Sequence, residues 1–273
     1  MLSSTKCLYK GIPLIAMPED RKIFYDLLRS TRWREDGVKS SGELVIAVGA
    51  RFMGTPYVPN TLEQGNREDL VINLRQLDCF TFVENTVVLA DLIKAGKTSF
   101  GDFAASLKAV RYRNGLLDGY ASQLHYFSDW LYDNRRRDFI KDMTHATGGK
   151  PFYKEIRFMT SNKNKYPALK REDSFVRLLA VERACSMRTL YHIPKAKLTI
   201  CADKIKNGDL IAITTDIEGL DVVHAGFAVR TKNGIHLLHA SQQAGKVVIS
   251  GETLSRYLAR RKSCSGIMAA RVL

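Results

Sequence analysis

The chain has 273 residues, between one and two ordinary domains at about 150 residues each. Hydrophobic residues make up 45% and charged residues 26%, close to the globular average, which excludes a wholly disordered chain. Lys and Arg outnumber Asp and Glu by 42 to 28, and the resulting formal charge of +14 favours anionic partners.

Near the start, Lys6 and Lys10 precede a short apolar patch, Gly11 to Met17, interrupted by Pro13; as a signal peptide it is poor. Glu19 to Arg32 places Ile23, Leu27 and Leu28 at helical spacing, and Gly42 to Phe52 does the same with Leu44, Val45 and Val48. Residues 1–40 are therefore expected to be a helical extension. Gly54 ends the second helix, and Pro56 and Pro59 make the next segment an irregular loop. Leu77 to Ala90 reads as a buried helix, apolar on nearly every face, with Asp78 as its N-cap and Cys79 in its first turn. This most apolar run already contains Glu84, and no stretch approaches the roughly 20 uninterrupted apolar residues of a membrane helix. From Phe103 to Asn134 two helical stretches follow, broken at Gly115 and Gly119. Residues 135–170 are polar and basic, as expected of a surface insertion. The C-terminal third changes period. Asp209 to Thr215, Val222 to Arg230, Ile235 to His239, Lys246 to Ser250 and Ile267 to Val272 are short and rich in β-branched residues, with a hairpin signal at Asn233-Gly234. Helices first and antiparallel strands last describe a single α+β domain over residues 1–273.

Five cysteines with no C-x-x-C pair argue against a disulfide scaffold and against the usual zinc ribbons. Cys79 is the one with chemical promise, because unpaired N–H groups at a helix head favour a thiolate. A buried structural thiol is the ordinary alternative. His224 lies inside an apolar strand, either as a core histidine bonded to one carbonyl or as the base that takes the thiol proton. A third group should orient the imidazole. Strand parity puts His239, Ser241 and Gln243 on the His224 face. A tight Asn233-Gly234 turn would set His224 opposite Gln243, and a loop of residues 230–233 would set it opposite His239. Cys79, His224 and His239 could also be three metal ligands, but no fourth is evident.

At this point the sequence resembles the bacterial cell-wall hydrolases of the NlpC type, and most closely their N-acetylmuramoyl-L-alanine amidase branch. The resemblance rests on Gly54-Thr55-Pro56-Tyr57, on the run Asn73 to Glu84 around Cys79, and on Leu124 to Trp130. It continues through Asn207 to Ile213, Gly219 to Val229 around His224, and Leu238 to Ser241. Val223 stands where that group often has a small hydroxyl residue. The resemblance implies a papain-like α+β fold, with the nucleophile at the N-terminus of a central helix packed on a C-terminal antiparallel sheet. It implies Cys79 as nucleophile, His224 as base, His239 as the orienting group and Tyr57 beside the oxyanion, with no metal or other cofactor. The implied substrate is peptidoglycan or a muropeptide fragment, and the implied location is the periplasm or another exported compartment. Asn60, Thr61, Glu63 and Arg75 lie close in sequence to this site and suit sugar hydroxyls, amides or a carboxylate. Tyr126 and Trp130 could stack on a sugar, although core packing is the plainer role for the tryptophan.

Two other readings compete. The same machinery could cut the stem peptide between D-glutamate and a diamino acid. Alternatively, Arg111-Tyr112-Arg113, Arg135-Arg136-Arg137, Lys163 to Lys170 and Arg260-Arg261-Lys262 could bind nucleic acid, although no recognised nucleic-acid motif accompanies them.

Overall fold

Proline and glycine decide the first element. Pro13 cannot continue a helix and Gly11 adopts φ +77°, so β1 (Thr5–Tyr9) and β2 (Ile12–Ala16) form an antiparallel hairpin. The expected helical extension over 1–40 is thus corrected: a hairpin comes first, and α1 (Pro18–Ser30) follows it. The apolar patch read as a poor signal peptide is strand β2, with Leu14 and Ile15 buried. A computed structural model describes residues 5–9, 11–30, 40–63 and 68–273, with backbone only for 5–9. Thr31 and Arg32, the expected end of the first helix, lie outside the described residues.

Helix α2 (Ser41–Arg51) begins where the Ser40 hydroxyl accepts from the Glu43 N–H. Strand β3 (Leu70–Val71) joins β2 in parallel to complete a three-stranded sheet. Helices α3 (Cys79–Lys94) and α4 (Phe100–Arg111) pack together, and most of α3 is buried on all sides. A loop containing both Gly115 and Gly119 at positive φ leads to α5 (Phe127–Arg136).

The segment 135–170 is not a mere surface insertion. Strand β4 (Ile140–Asp142) pairs with the C-terminal strand, and β5 (Lys150–Phe152) extends the main sheet. The short α6 (Phe158–Ser161) packs on α7 (Glu172–Ser186). Its apolar residues are few but committed: Ile140, Ile156, Met159 and Leu169 are all buried. Because they are scattered in ones and twos among polar and basic residues, no periodicity betrays them.

After β6 (Leu190–Pro194) and the single-turn α8 (Leu198–Cys201) come β7 (Leu210–Thr215), β8 (Val222–Thr231), β9 (Gly234–Ser241) and β10 (Lys246–Ile249). A short α9 (Leu254–Ala259) and β11 (Cys264–Val272) close the chain. The main sheet is antiparallel, in the order β10-β9-β8-β7-β11-β6-β5, with β4 beside β11. Helices α2 and α3 cover one face through Phe52, Phe82, Val83 and Val87 against Phe227 and Leu238. The opposite face packs Ile213, Ala228 and Leu237 against Leu254 and Leu258 of α9. The fold is α+β, and among the described residues no helix is long and apolar enough to cross a membrane.

Candidate active site

The head of α3 is fixed by a reciprocal cap. The Asp78 carboxylate accepts from the N–H groups of Phe80 (3.0 Å) and Thr81 (2.7 Å), while the Thr81 hydroxyl accepts from the Asp78 N–H at 2.9 Å. Cys79 is thereby held as the first helical residue, partly exposed, whereas Cys185, Cys201 and Cys264 are buried. The Ala225 N–H of β8 is near enough to the Cys79 sulfur to favour its thiolate, which sets the head of the helix beside the strand carrying His224.

The cap has a consequence the sequence reading did not foresee. Asp78 takes up helix-head donors that would have favoured a thiolate, and its negative charge stands beside the sulfur. Burial and Asp78 push the Cys79 thiol up to about 12, outweighing the nearby N–H groups, so the acidified thiol expected from the helix head is corrected to a neutral one.

His224 Nε2 and His239 Nδ1 are 2.5 Å apart, with their rings nearly perpendicular at 85°. The hairpin register that produces this contact is neither of the two anticipated. Thr231 pairs with Gly234 and Phe227 with Leu238, so the turn is Lys232-Asn233 and continued pairing would set His224 opposite Ser241. The contact to His239 is diagonal, and Gly226 permits it: a Cβ there would stand 2.8 Å from the Cβ of His239 and 2.7 Å from the Leu238 carbonyl oxygen. The other two orienting candidates are engaged elsewhere. The Ser241 hydroxyl accepts from the Ala244 N–H, and Gln243 accepts from Arg261. Burial, together with the neighbouring charges of His239 and Arg261, lowers His224 to about 3; burial and Arg261 lower His239 to about 4. Both imidazoles are therefore neutral near pH 7.

Tyr57 stands near Cys79 because its loop is pinned twice. Its N–H donates to the Gly245 carbonyl, while Val58 and Pro56 exchange hydrogen bonds with Leu77, two residues before Cys79. Burial and the nearby Cys79 and Asp78 raise its phenol to about 12. The remaining expected residues divide. Asn60 is exposed at φ +58° and Thr61 is buried on the same loop. Glu63 lines a cavity of about 650 Å³ with Glu68, Tyr120, Arg171 and Arg177, a cavity that neither Cys79 nor the two histidines line.

Arg75 is a structural residue, its Nε bonded at 3.0 Å to the buried Asp20 carboxylate, which also receives the Leu74 N–H. Tyr126, expected to meet substrate, is corrected to a core residue. It is 2% exposed, donates to Glu182 at 2.6 Å and accepts from the Met159 N–H. Trp130 is packed between Phe80 and Phe127. The run around them has a positioning task instead: the Ser128 N–H donates to Asp221, which also receives the Val222 N–H and so anchors the start of β8.

Two neighbours of the histidines escaped the sequence reading. Tyr257 of α9 lies nearly parallel to His224, and the guanidinium of Arg261 lies 3.5 Å from its ring centroid. Arg261 was visible only as part of a basic run. Among the described residues, no group of three or more His, Cys, Asp or Glu side chains could hold a metal ion.

Comparison with known proteins bears on this site. Over 85% of its length the chain is similar to an N-acetylmuramoyl-L-alanine amidase from Bacteroides uniformis, covering 99% of that protein at 36% identity and a TM-score of 0.81. It is also similar to a Bacteroides fragilis protein whose proposed activity is that of a xylanase, at 40% identity and a TM-score of 0.78, over 82% of this chain and 98% of that one. A Legionella pneumophila protein shares the fold at 23% identity and a TM-score of 0.68, over 93% and 95% of the two chains. No curated protein matches. Residues 47–267, which include the head of α3 and the strands bearing both histidines, match the AmiA-like family, and the chain therefore belongs to this N-acetylmuramoyl-L-alanine amidase-like family.

Proposed function

We propose that the chain is a cysteine-dependent amidase of papain-like arrangement that hydrolyses the bond between N-acetylmuramic acid and L-alanine in peptidoglycan or its fragments, in the periplasm or another exported compartment. The observation that carries this reading is the 2.5 Å contact between His224 and His239, with the N–H of the residue after His224, Ala225, near the Cys79 sulfur. With Nε2 donating to His239, His224 keeps the Nδ1 lone pair to accept a proton. The starting pair is neutral. As the Cys79 sulfur attacks the lactyl carbonyl, its proton passes to His224. The oxyanion accepts from the Cys79 N–H and the Tyr57 hydroxyl. The C–N bond then breaks, His224 protonates the departing L-alanine nitrogen, and a thioester remains on Cys79. Water, deprotonated by His224, hydrolyses it and restores the thiol.

Incubating a defined muropeptide with the protein and weighing the products tests the bond. A released peptide beginning with L-alanine supports the amidase. A sugar that keeps the L-alanyl-D-glutamate dipeptide, with a released peptide beginning at the diamino acid, would point to the stem-peptide endopeptidase. The Bacteroides fragilis likeness makes xylan the proper control. Glycoside hydrolysis uses two carboxyl groups roughly 5–10 Å apart, whereas the carboxylate beside Cys79, that of Asp78, is engaged as a helix cap. Because the base is neutral above its low pKa, kcat/KM should stay flat on acidification from neutrality down to about pH 5. An acid limb near the ordinary histidine value, about 6.5, would contradict a buried base held neutral by its neighbours.

A further inference from the structure

We propose that Tyr257 is a positioning residue for the two histidines, clamped by Arg261 so that its ring fixes the orientation of the His224 imidazole. The inference rests on the reading of His224 as the base. Three rings form a corner. Tyr257 lies at 21° to His224 with centroids 6.3 Å apart, and at 88° to His239 with centroids 5.9 Å apart. The histidine rings themselves are 4.8 Å apart. An imidazole bonded at one nitrogen can still swing about that bond, and a flat ring alongside removes this freedom.

The clamp is built from the other side. The Arg261 guanidinium lies over the tyrosine ring, donates to the Tyr257 carbonyl at 3.0 Å and to Gln243 at 3.3 Å, and pairs with Glu252 at 3.7 Å. Helix α9 is itself seated by buried Leu254 and Leu258. The charged and titratable groups that act on the three rings are His239 of β9 and Arg261 beyond α9 on His224, Arg261 on His239, and Arg261, Cys264 of β11, Cys79 of α3 and Glu252 on Tyr257; Ile213 of β7, opposite His224, carries none. Among those acting on the histidines, Arg261 is the fixed cation, lowering both imidazoles.

The test compares Tyr257→Ala, Tyr257→Phe and Arg261→Gln in the full chain, using a purified muropeptide and, separately, NMR of the histidine rings. Tyr257→Ala should lower kcat by about tenfold to a hundredfold while KM moves by less than about threefold, and Tyr257→Phe should restore kcat. Arg261→Gln should move the acid limb of kcat/KM to higher pH, because the imidazoles lose a neighbouring positive charge. In NMR, the ring signals of His224 and His239 should shift in Tyr257→Ala and stay near their places in Tyr257→Phe. An unchanged kcat in Tyr257→Ala, or a fall as deep in Tyr257→Phe, would overturn the proposal. If the unaltered protein cleaves nothing, the hydrolase reading fails, and the ring signals then decide the clamp: shifted in Tyr257→Ala supports it, unshifted refutes it.

Discussion

Two polar sites on one helix follow opposite rules. At the head of α3, Cys79 is partly exposed and its thiol is neutral, and the histidines of the neighbouring strands β8 and β9 are neutral too. About a turn and a half further on, Glu84 is 1% exposed and ion-paired at 2.7 Å with Arg111, itself 2% exposed and donating also to the Val71 carbonyl. The inner pair is closed: each charge has its partner, and neither reaches solvent. The outer group is held neutral instead: burial, with Asp78 beside Cys79 and Arg261 beside the histidines, sets the protonation of all three side chains. Burial thus produces an immovable ion pair in one place and a poised neutral pair in the other. What differs is whether a permanent counter-charge is supplied.

That contrast orders the effects of substitution on stability. Glu84→Gln leaves the Arg111 charge buried without its partner and should cost roughly 3–5 kcal/mol in a denaturant titration. A loss below 1 kcal/mol would mean that water or another group compensates Arg111 at no cost. Gly226→Ala comes next. Its methyl group would press on the Leu238 carbonyl and the His239 Cβ. Such overpacking costs roughly 1–3 kcal/mol and should spread the two imidazoles, so cleavage falls along with stability. Full activity in that variant would mean the histidine contact can re-form around the methyl group. Cys79→Ala should be the mildest, about 1 kcal/mol or less, since the Asp78 cap fixes the head of α3 without the sulfur.

Much of this was legible before any coordinates. Asp78 as N-cap announces the head of α3, and alternation along β8 and β9 puts His224 and His239 on one face in either of the two anticipated registers. The register was not legible, because the turn is Lys232-Asn233 with Gly234 at φ +121° as the first strand residue, one step from the Asn233-Gly234 turn suggested by composition. The protonation of Cys79 was misjudged for a related reason. Burial of the sulfur, with the Asp78 charge beside it, outweighs the helix-head N–H groups, and burial follows from packing that no local pattern shows. Tyr257 was invisible since it reaches the site from a helix formed about 30 residues after His224, by packing and not by motif. The helical pattern of α7, with Leu178, Val181 and Cys185 at spacings of three and four, is present in the sequence beside the basic stretch that precedes it.

The central claim is that one sulfur atom performs the cleavage. Its most direct test is hydrolysis of a defined muropeptide by the Cys79→Ala protein beside the unaltered one, with matched folding and the released peptide quantified by mass spectrometry. The account predicts that release falls at least about a thousandfold in the variant. Release at a comparable rate, from a protein lacking that sulfur, would contradict it.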